Sequence, residues 1–299
     1  MTYPKISIIF PIYNEKTLTL NCLKSINKLN WPKEEIETIV IDNHSNDDTS
    51  LQIKKIYPNI KLLEAKKNLG FAKAVNWGAE EARGEYFFIT NNDVVFERNC
   101  LKNIAKFALK NPKIGVIGPK IFNLQKPSRV LGLPLHYNFY LGTFSMAKEA
   151  SKPTEVDWVQ GCGFFCAKRL WQKLGGFDEN FFFTAEDLDF CLRAKKISTK
   201  TVYLPSARIW HKEGATVNKP EMIKFKYYEG YKSKLRLILK HGTVLQILSS
   251  FLLQFILYAP YRFLILKEKS TWPLFKALIW NINNLESTLK SRNFSRNNG

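Results

Sequence analysis

Three acids, Glu186, Asp187 and Asp189, stand directly behind three consecutive phenylalanines in "FFFTAEDLDFCLRA" (181–194). Two chemistries fit this spacing. Thr184 can cap a helix whose first turn favours acids, because its free N–H groups and the helix dipole attract negative charge. Asp189 and Arg193 would then form an exposed pair four residues apart. Alternatively, a carboxylate held against apolar rings is partly desolvated, its pKa rises, and it can take a proton near neutrality as a general base. Elsewhere, Asp42 in "IETIVIDN" could accept the imide N–H of uracil or thymine, or cap the helix that follows. Asp93 in "TNND" could ligate Mg2+ or Mn2+, which favour hard oxygen donors, or could simply end a strand in a turn. His211 follows an apolar strand, as a structural residue or as a second ligand that joins Asp93 and a diphosphate around a cation.

The elements that must position these groups are legible as a pattern. "KISIIFPIY" (5–13), "IETIVIDN" (36–43), "IKLLEA" (60–65) and "EYFFITNND" (85–93) are short apolar runs, as expected of strands buried on both faces. Helical spacing fills the gaps at 18–29, 47–57 and 71–82. This alternation predicts a parallel sheet wrapped by helices, whose ligands bind beyond the carboxyl ends of the strands. Polar residues follow three of those ends: Tyr13-Asn14-Glu15, Asp42-Asn43 and Asn91-Asn92-Asp93. In the second half, 114–122 and 156–168 read as strands of a mixed sheet with a loop-rich segment between them. A short helix ends at Gly175-Gly176, and 199–214 reads as a strand carrying His211.

Several classes are excluded. No G-x-G-x-x-G follows the first strand, and neither a phosphate-binding P-loop nor a serine nucleophile elbow occurs. Cys162 and Cys166 lack a second pair at zinc spacing, and five cysteines, an odd number, suit a reducing compartment. The N-terminal apolar run is broken by Pro11 and lacks a cleavage site, so no signal peptide is expected. A formal net charge of +19 calls for a polyanionic partner.

Taken together, "SIIFPIYNE", "ETIVIDNHSNDDTS", "NLGFAKAVNWGAEEARGEYFFITNND" and "WVQGCGFFCAKRLWQKLGGFDENFFFTAEDLDFCLRA", followed by "YLPSARIWH", resemble the family 2 glycosyltransferases of the GT-A fold over about residues 5 to 215. The last combination is closest to the rhamnosyltransferase and galactofuranosyltransferase branch. The resemblance implies an α/β fold with a mixed sheet flanked by helices. It also implies inverting transfer of a sugar from a nucleoside diphosphate to an acceptor hydroxyl, and dTDP-rhamnose as donor rests on it alone. It places nucleotide contacts on Pro11, Tyr13, Glu15, Asp42, Asn68 and Lys73, and the acidic metal motif on Asn91, Asn92 and Asp93. Its late histidine falls on His211 and its catalytic base on Asp187. Trp158 could then offer a platform for the acceptor sugar, and Glu186 could hold the acceptor hydroxyl. The motif usually offers two carboxylates, and Asn91 replaces the first, which weakens the expected Mg2+ or Mn2+ site.

Residues 1–217 are thus expected to form the catalytic domain and 218–299 a helical extension. From Lys219 onward, 14 Lys and Arg stand against 4 acids, around the apolar stretch "TVLQILSSFLLQFILYAP" (243–260). Gln246 and Gln254 interrupt that stretch, which favours an in-plane element on an anionic membrane over a clear span. Lys224, Lys226, Lys232, Lys234, Arg236 and Lys240 precede it, and Arg262, Lys267 and Lys269 follow. The alternative is a buried hairpin of helices. Placement at the cytoplasmic face, peripheral or monotopic, follows, with a glycan or lipid-linked glycan as acceptor. A nucleotidyltransferase would need more acids than "TNND" offers. Nucleic-acid binding is disfavoured because the basic residues lie among aliphatic runs, without an aromatic-interleaved groove.

Overall fold

The computed structural model describes residues 3–131, 135–146, 149–212, 222–264 and 271–297. The chain divides into two compact units. One comprises Met1–Pro134, Ala147–Phe182 and Glu186–Glu213; the other comprises Leu135–Met146, Phe183–Ala185 and Gly214–Gly299. The expected boundary at 217/218 lies outside the described residues, as do Lys267 and Lys269. The second unit is not C-terminal alone, since it takes in two internal segments.

The strands are β1 (Ile6–Ile12), β2 (Ile36–Asp42), β3 (Lys61–Glu64), β4 (Tyr86–Thr90), β5 (Val94–Phe96), β6 (Ile114–Asn123), β7 (Leu135–Asn138), β8 (Thr143–Met146), β9 (Thr154–Glu155), β10 (Gly163–Ala167) and β11 (Lys200–His211). In the first unit the helices are α1 (Lys16–Ile26), α2 (Thr49–Ile56), α3 (Phe71–Glu80), α4 (Cys100–Lys110), α5 (Lys168–Leu174) and α6 (Glu186–Lys196). One mixed sheet runs β3-β2-β1-β4-β10-β6-β11-β5, with β9 also on β11. The first four strands are parallel, as the alternation predicts; β1, β4 and the second half of β2 bury their Ile, Val and Phe side chains on both faces, whereas the edge strand β3 is only half-buried. From β1 the order runs one way to β2 and β3 and the other way to β4. A crevice therefore opens past β1 and β4. Pairing of these two strands stops at Ile9↔Ile89, so Pro11 lies beyond it, where a proline inside a central strand is tolerated.

Three local expectations change. Residues 156–162 are not strand, because β10 begins only at Gly163 after a turn closed by Gly163 N–H to Gln160 O at 2.9 Å. The strand expected over 85–93 ends at Thr90, and Asn91–Asp93 form the turn into β5. The loop-rich segment contains the hairpin β7–β8.

In the second unit that hairpin joins α7 (Ile223–His241), α8 (Val244–Phe251), α9 (Ala259–Leu264), α10 (Thr271–Asn283) and α11 (Leu285–Asn297). A π-helical segment, Leu252–Tyr258, makes α8 and α9 continuous. Of the cations expected to face lipid, Lys232, Arg236 and Lys240 are instead buried along one stripe of α7. Lys232 Nζ lies 2.5 Å from Glu229 and 4.9 Å from the Trp280 ring centroid. Arg236 donates to Thr288 Oγ1 at 2.7 Å. Four-residue spacing put these charges on the face that packs against α10 and α11, where ion pairs and rings replace water. Lys224 and Lys226 remain exposed.

Gly70 sets the start of α3. Its backbone (φ 80, ψ 177) lies in a region open essentially to glycine alone, and a Cβ there would meet Phe182 O at 2.5 Å. Gly70→Ala is therefore expected to destabilise the protein by about 3 kcal/mol, measured by urea unfolding.

Candidate active site

The carboxyl edge of the sheet gathers most of the singled-out residues, and strand register explains how. Ile12 pairs with Asp42, and Asn43 N–H donates to Ile12 O at 2.8 Å. Both Asp42 oxygens accept bonds from the segment that follows, Oδ1 from Ser45 N–H in the loop at 2.8 Å and Oδ2 from the Ser50 hydroxyl in the first turn of α2. Asn43 ties this loop to the next: Nδ2 donates to Gly70 O at 3.1 Å, and Oδ1 accepts from Leu69 N–H at 3.2 Å. Asn68 Oδ1 accepts from Gly70 N–H at 2.9 Å, which turns the chain into α3. Lys73, on α3, is half exposed and pairs with Glu179 at 3.1 Å. Tyr13 is exposed, and Asn14 and Glu15 both hold left-handed backbones at φ 59 and 65. His44 and Ala185 share this feature, so four of the five such non-glycine residues described lie in loops at this edge or at the start of α6. Such strain persists only where surrounding structure enforces it, and it collects at functional sites.

The pairing of β5 with β11, His211 opposite Val94, brings together residues 120 apart in sequence. Asp93 Oδ1 lies 3.1 Å from His211 Nε2, and Asn91 Nδ2 lies 3.4 Å from the same nitrogen. Burial lowers the His211 pKa, but Cys162 and the Asp93 carboxylate outweigh it, and the net shift is upward. Asn92 turns away from this group and donates to Thr19 Oγ1 at 3.0 Å. Asp93 Oδ1 is buried, with no described partner besides His211. A separation of about 3 Å is what two adjacent ligands of a metal with bonds near 2.1 Å would show. The pair therefore fits a divalent cation. Among the described residues no group of three or more His, Cys, Asp or Glu side chains gathers, and oxygens of water, of the Asn91 amide or of substrate could complete the set.

Asp187 sits in the first turn of α6. The register Gly163↔Thr90 sets the turn before β10 beside the end of β4, where Thr90 Oγ1 donates to Cys162 O at 2.8 Å. From that turn Gly161 N–H donates to Asp187 Oδ2 at 2.8 Å, while Leu188 N–H donates to Oδ1 at 2.7 Å. The Trp158 side chain donates to the same carboxylate. Burial pushes the Asp187 pKa up, the donors pull it partly back, and the balance is about 6. Glu186 is buried beside it with Oε2 unpartnered, and burial, then the Asp187 charge, holds its pKa well above the usual range.

Several expectations need correcting here. Trp158 is 8% exposed, so its ring is a holder of the carboxylate and presents little face to a sugar. Asp189 and Arg193 do form the expected pair, at 2.8 Å, but both are buried. Arg193 also donates to Leu174 O at 2.6 Å and Gly176 O at 2.8 Å, which fastens α6 to the end of α5. Ala185, at φ 72, immediately precedes α6, in the position expected of Thr184. The three phenylalanines separate: Phe181 is core, Phe182 packs on Gly70, and Phe183 stacks on Phe225 at 5.9 Å within the second unit. Sequence reasoning missed Gly161, whose only signal was the closeness of two glycines in "QGCGFF".

An open α/β sheet with its polar loops at the carboxyl edge belongs to the proteins that bind ligands at a strand-order reversal. Residues 7–166 match the family described as "Glycosyl transferase family 2", and the chain belongs to that family. An N-acetylglucosaminyl-diphospho-decaprenol L-rhamnosyltransferase of Mycobacterium tuberculosis is 27% identical over 206 residues, covering 59% of this chain and 66% of that protein. The first curated relatives are matched over only 52% to 66% of their length. S. aureus TarS 1–349 in complex with UDP-GlcNAc superposes with a TM-score of 0.62 at 21% identity, over 92% of this chain and 79% of that one. A mannosyltransferase of Pyrobaculum calidifontis in complex with GDP-Man and Mn2+ gives 0.61 at 18% identity, over 96% and 76%. The mixed sheet flanked by helices is the GT-A fold.

A raised Glu186 pKa has a consequence for stability. The folded state binds this proton more tightly than the unfolded chain does, so stability is lost as pH rises above the usual glutamate value of about 4.3. Glu186→Gln removes that loss. Its melting temperature should exceed that of the wild type at pH 8, and the gap should shrink toward pH 4.5 in thermal scans.

Proposed function

We propose that this protein is an inverting glycosyltransferase. It moves a sugar from a nucleoside-diphosphate sugar to a hydroxyl of a lipid-linked or cell-surface glycan at the cytoplasmic face of a membrane. The observation that carries this reading is the buried Asp187 carboxylate, with its pKa near 6 and three donors fixing its direction. Such a group is ionised at neutral pH yet basic enough to take the proton from an acceptor hydroxyl as that oxygen attacks the anomeric carbon. Glu186, buried and with a free oxygen, holds the acceptor hydroxyl in line. Pro11, Tyr13, Glu15, Asp42, Asn68 and Lys73 line the nucleotide side, around the crevice past β1 and β4. Asp93 and His211, with Asn91 beside them, hold Mg2+ or Mn2+ together with the diphosphate. When bound, the cation stabilises the charge that develops on the leaving group. The M. tuberculosis relative, an L-rhamnosyltransferase, supports rhamnose as the sugar moved, the dTDP carrier resting on the family resemblance alone, and the Mn2+ in the P. calidifontis complex supports the metal.

Membrane association rests on the second unit. Val244–Tyr261 is long and apolar enough to cross a membrane, yet Ser250, Gln254 and Ala259 are buried on one face. A helix with one face packed and the other apolar and bare suits an in-plane position, and the exposed Lys224 and Lys226 suit anionic lipid.

Asp187→Asn is expected to lower kcat at least about 100-fold while nucleoside-diphosphate affinity stays within a few-fold, read by nucleotide release across a panel of nucleotide sugars. In the wild type, log kcat/KM should fall as pH drops through about 6, where the base takes up its proton. A variant that keeps a tenth of the activity would remove Asp187 from this role.

Asp93→Ala is expected to weaken nucleoside-diphosphate binding only when Mg2+ or Mn2+ is present, by calorimetry with and without EDTA. Full turnover in excess EDTA would exclude the metal role.

A further inference from the structure

The hairpin β7–β8 has a composition unlike the rest of the chain. Its twelve residues, "LHYNFYLGTFSM" (135–146), contain no Lys, Arg, Asp or Glu, although 24% of the chain is charged. Four of its large side chains point outward: Tyr140 is 51% exposed, Leu141 47%, Phe144 64% and Met146 48%. A hairpin built for water would carry polar residues at these positions.

This hairpin is fixed to the apolar helix of its own unit. Gly142 has φ 59, and a Cβ there would lie 2.5 Å from Ser250 Oγ and 3.0 Å from Ile238 and Lys234 atoms. Ser249 Oγ donates to Tyr140 O at 3.1 Å, and Gln254 Nε2 lies 3.5 Å from Leu141 O. Asn138 Oδ1 closes the turn by accepting from Tyr140 and Leu141 N–H at 3.0 and 3.1 Å. The polar groups that interrupt 243–260 in sequence are thereby used internally. Gln246 forms a capping box with Thr243, while Gln254 and Ser250 face the hairpin. What remains exposed between Val244 and Tyr261 is apolar or aromatic throughout.

We infer that β7–β8 and the outer face of Val244–Tyr261 form one composite membrane-inserting surface, with the tip of the hairpin entering the lipid beside the helix. The occupant is an anionic bilayer. Exposed Lys224 and Lys226 and the cationic excess from Lys219 onward are attracted to anionic headgroups, whereas the same charge makes two copies of this face repel each other. The exposed aromatics Tyr140 and Phe144 also suit the headgroup level, where an apolar ring body and a polar tip are both accommodated. The inference rests on the membrane reading above, and it assigns to that reading a surface discontinuous in sequence.

The test uses the full-length chain. All five native cysteines are buried, so a new surface cysteine can be labelled selectively. Phe144→Cys and, separately, Leu248→Cys carry an environment-sensitive fluorophore and are mixed with vesicles of mixed zwitterionic and anionic phospholipid containing a nitroxide-bearing quencher lipid. Both labels are expected to shift to the blue and to be quenched. The exposed-site variant Leu141→Ser/Phe144→Ser should lower vesicle partitioning about tenfold or more, with an unchanged melting temperature. If the label at 248 is quenched while that at 144 stays aqueous, the composite surface is wrong and the membrane reading stands. If the chain ignores vesicles, both fail. A blue shift at 144 that grows with protein concentration without lipid would assign the surface to a second copy and overturn the inference.

Discussion

Burial pushes the pKa of the Asp187 carboxylate up from its ordinary range, and donated hydrogen bonds pull it back to about 6. Much of the first unit follows from that constraint. Gly161 can aim its N–H only because β10 enters the sheet antiparallel to β4 with Gly163 opposite Thr90. Leu188 can do so because α6 begins abruptly behind Ala185 in a left-handed conformation. The helix is in turn fastened from behind, by the buried Asp189–Arg193 pair and by Phe190, which packs between Phe164 and Trp171 at 5.3 and 5.2 Å. A buried ion pair contributes little net stability, so its effect here is mainly to fix one position of the helix.

The same edge shows two kinds of polar group. Asp42 accepts from Ser45 and Ser50, and Asn43 bonds Gly70 and Leu69 across the loops after β2 and β3, which gives those loops a fixed shape. Glu186 retains a buried oxygen with no partner, and Asp93 Oδ1 has only His211 beside it. The first kind is architecture. The second is a cost, because an unsatisfied buried oxygen such as that of Glu186 lowers stability until something bonds it.

How much of this was legible in the sequence depended on the range of the interaction. Of the four parallel strands, β1 and β4 announced themselves through Ile and Phe runs buried on both faces, whereas the short, half-buried β3 gave a weaker signal. Asp187 stood out because three acids behind three phenylalanines is a local pattern. What stayed hidden depended on pairing at a distance. The three residues of β5 carry no periodicity, yet their register delivers His211 to Asp93. The donor role of Trp158 required the turn before β10, which reads as strand from its apolar residues alone. On α7, the cations read as a basic flank facing anionic lipid, and only the neighbouring helices reveal that Lys232, Arg236 and Lys240 point inward.

The attachment of the hairpin tip to α8 has a bearing on synthesis. Tyr140 and Ser249 are 109 residues apart, so at ribosomal speed the tip leaves the exit tunnel on the order of 5 to 20 s before the helix that receives it. For that interval an uncharged aromatic hairpin has no intramolecular shelter. Chaperone or membrane capture of the nascent chain would then compete directly with aggregation, and a chain shortened before α8 would keep that exposure permanently. Trimming the apolar C-terminal helices would therefore remove one sticky surface and uncover another.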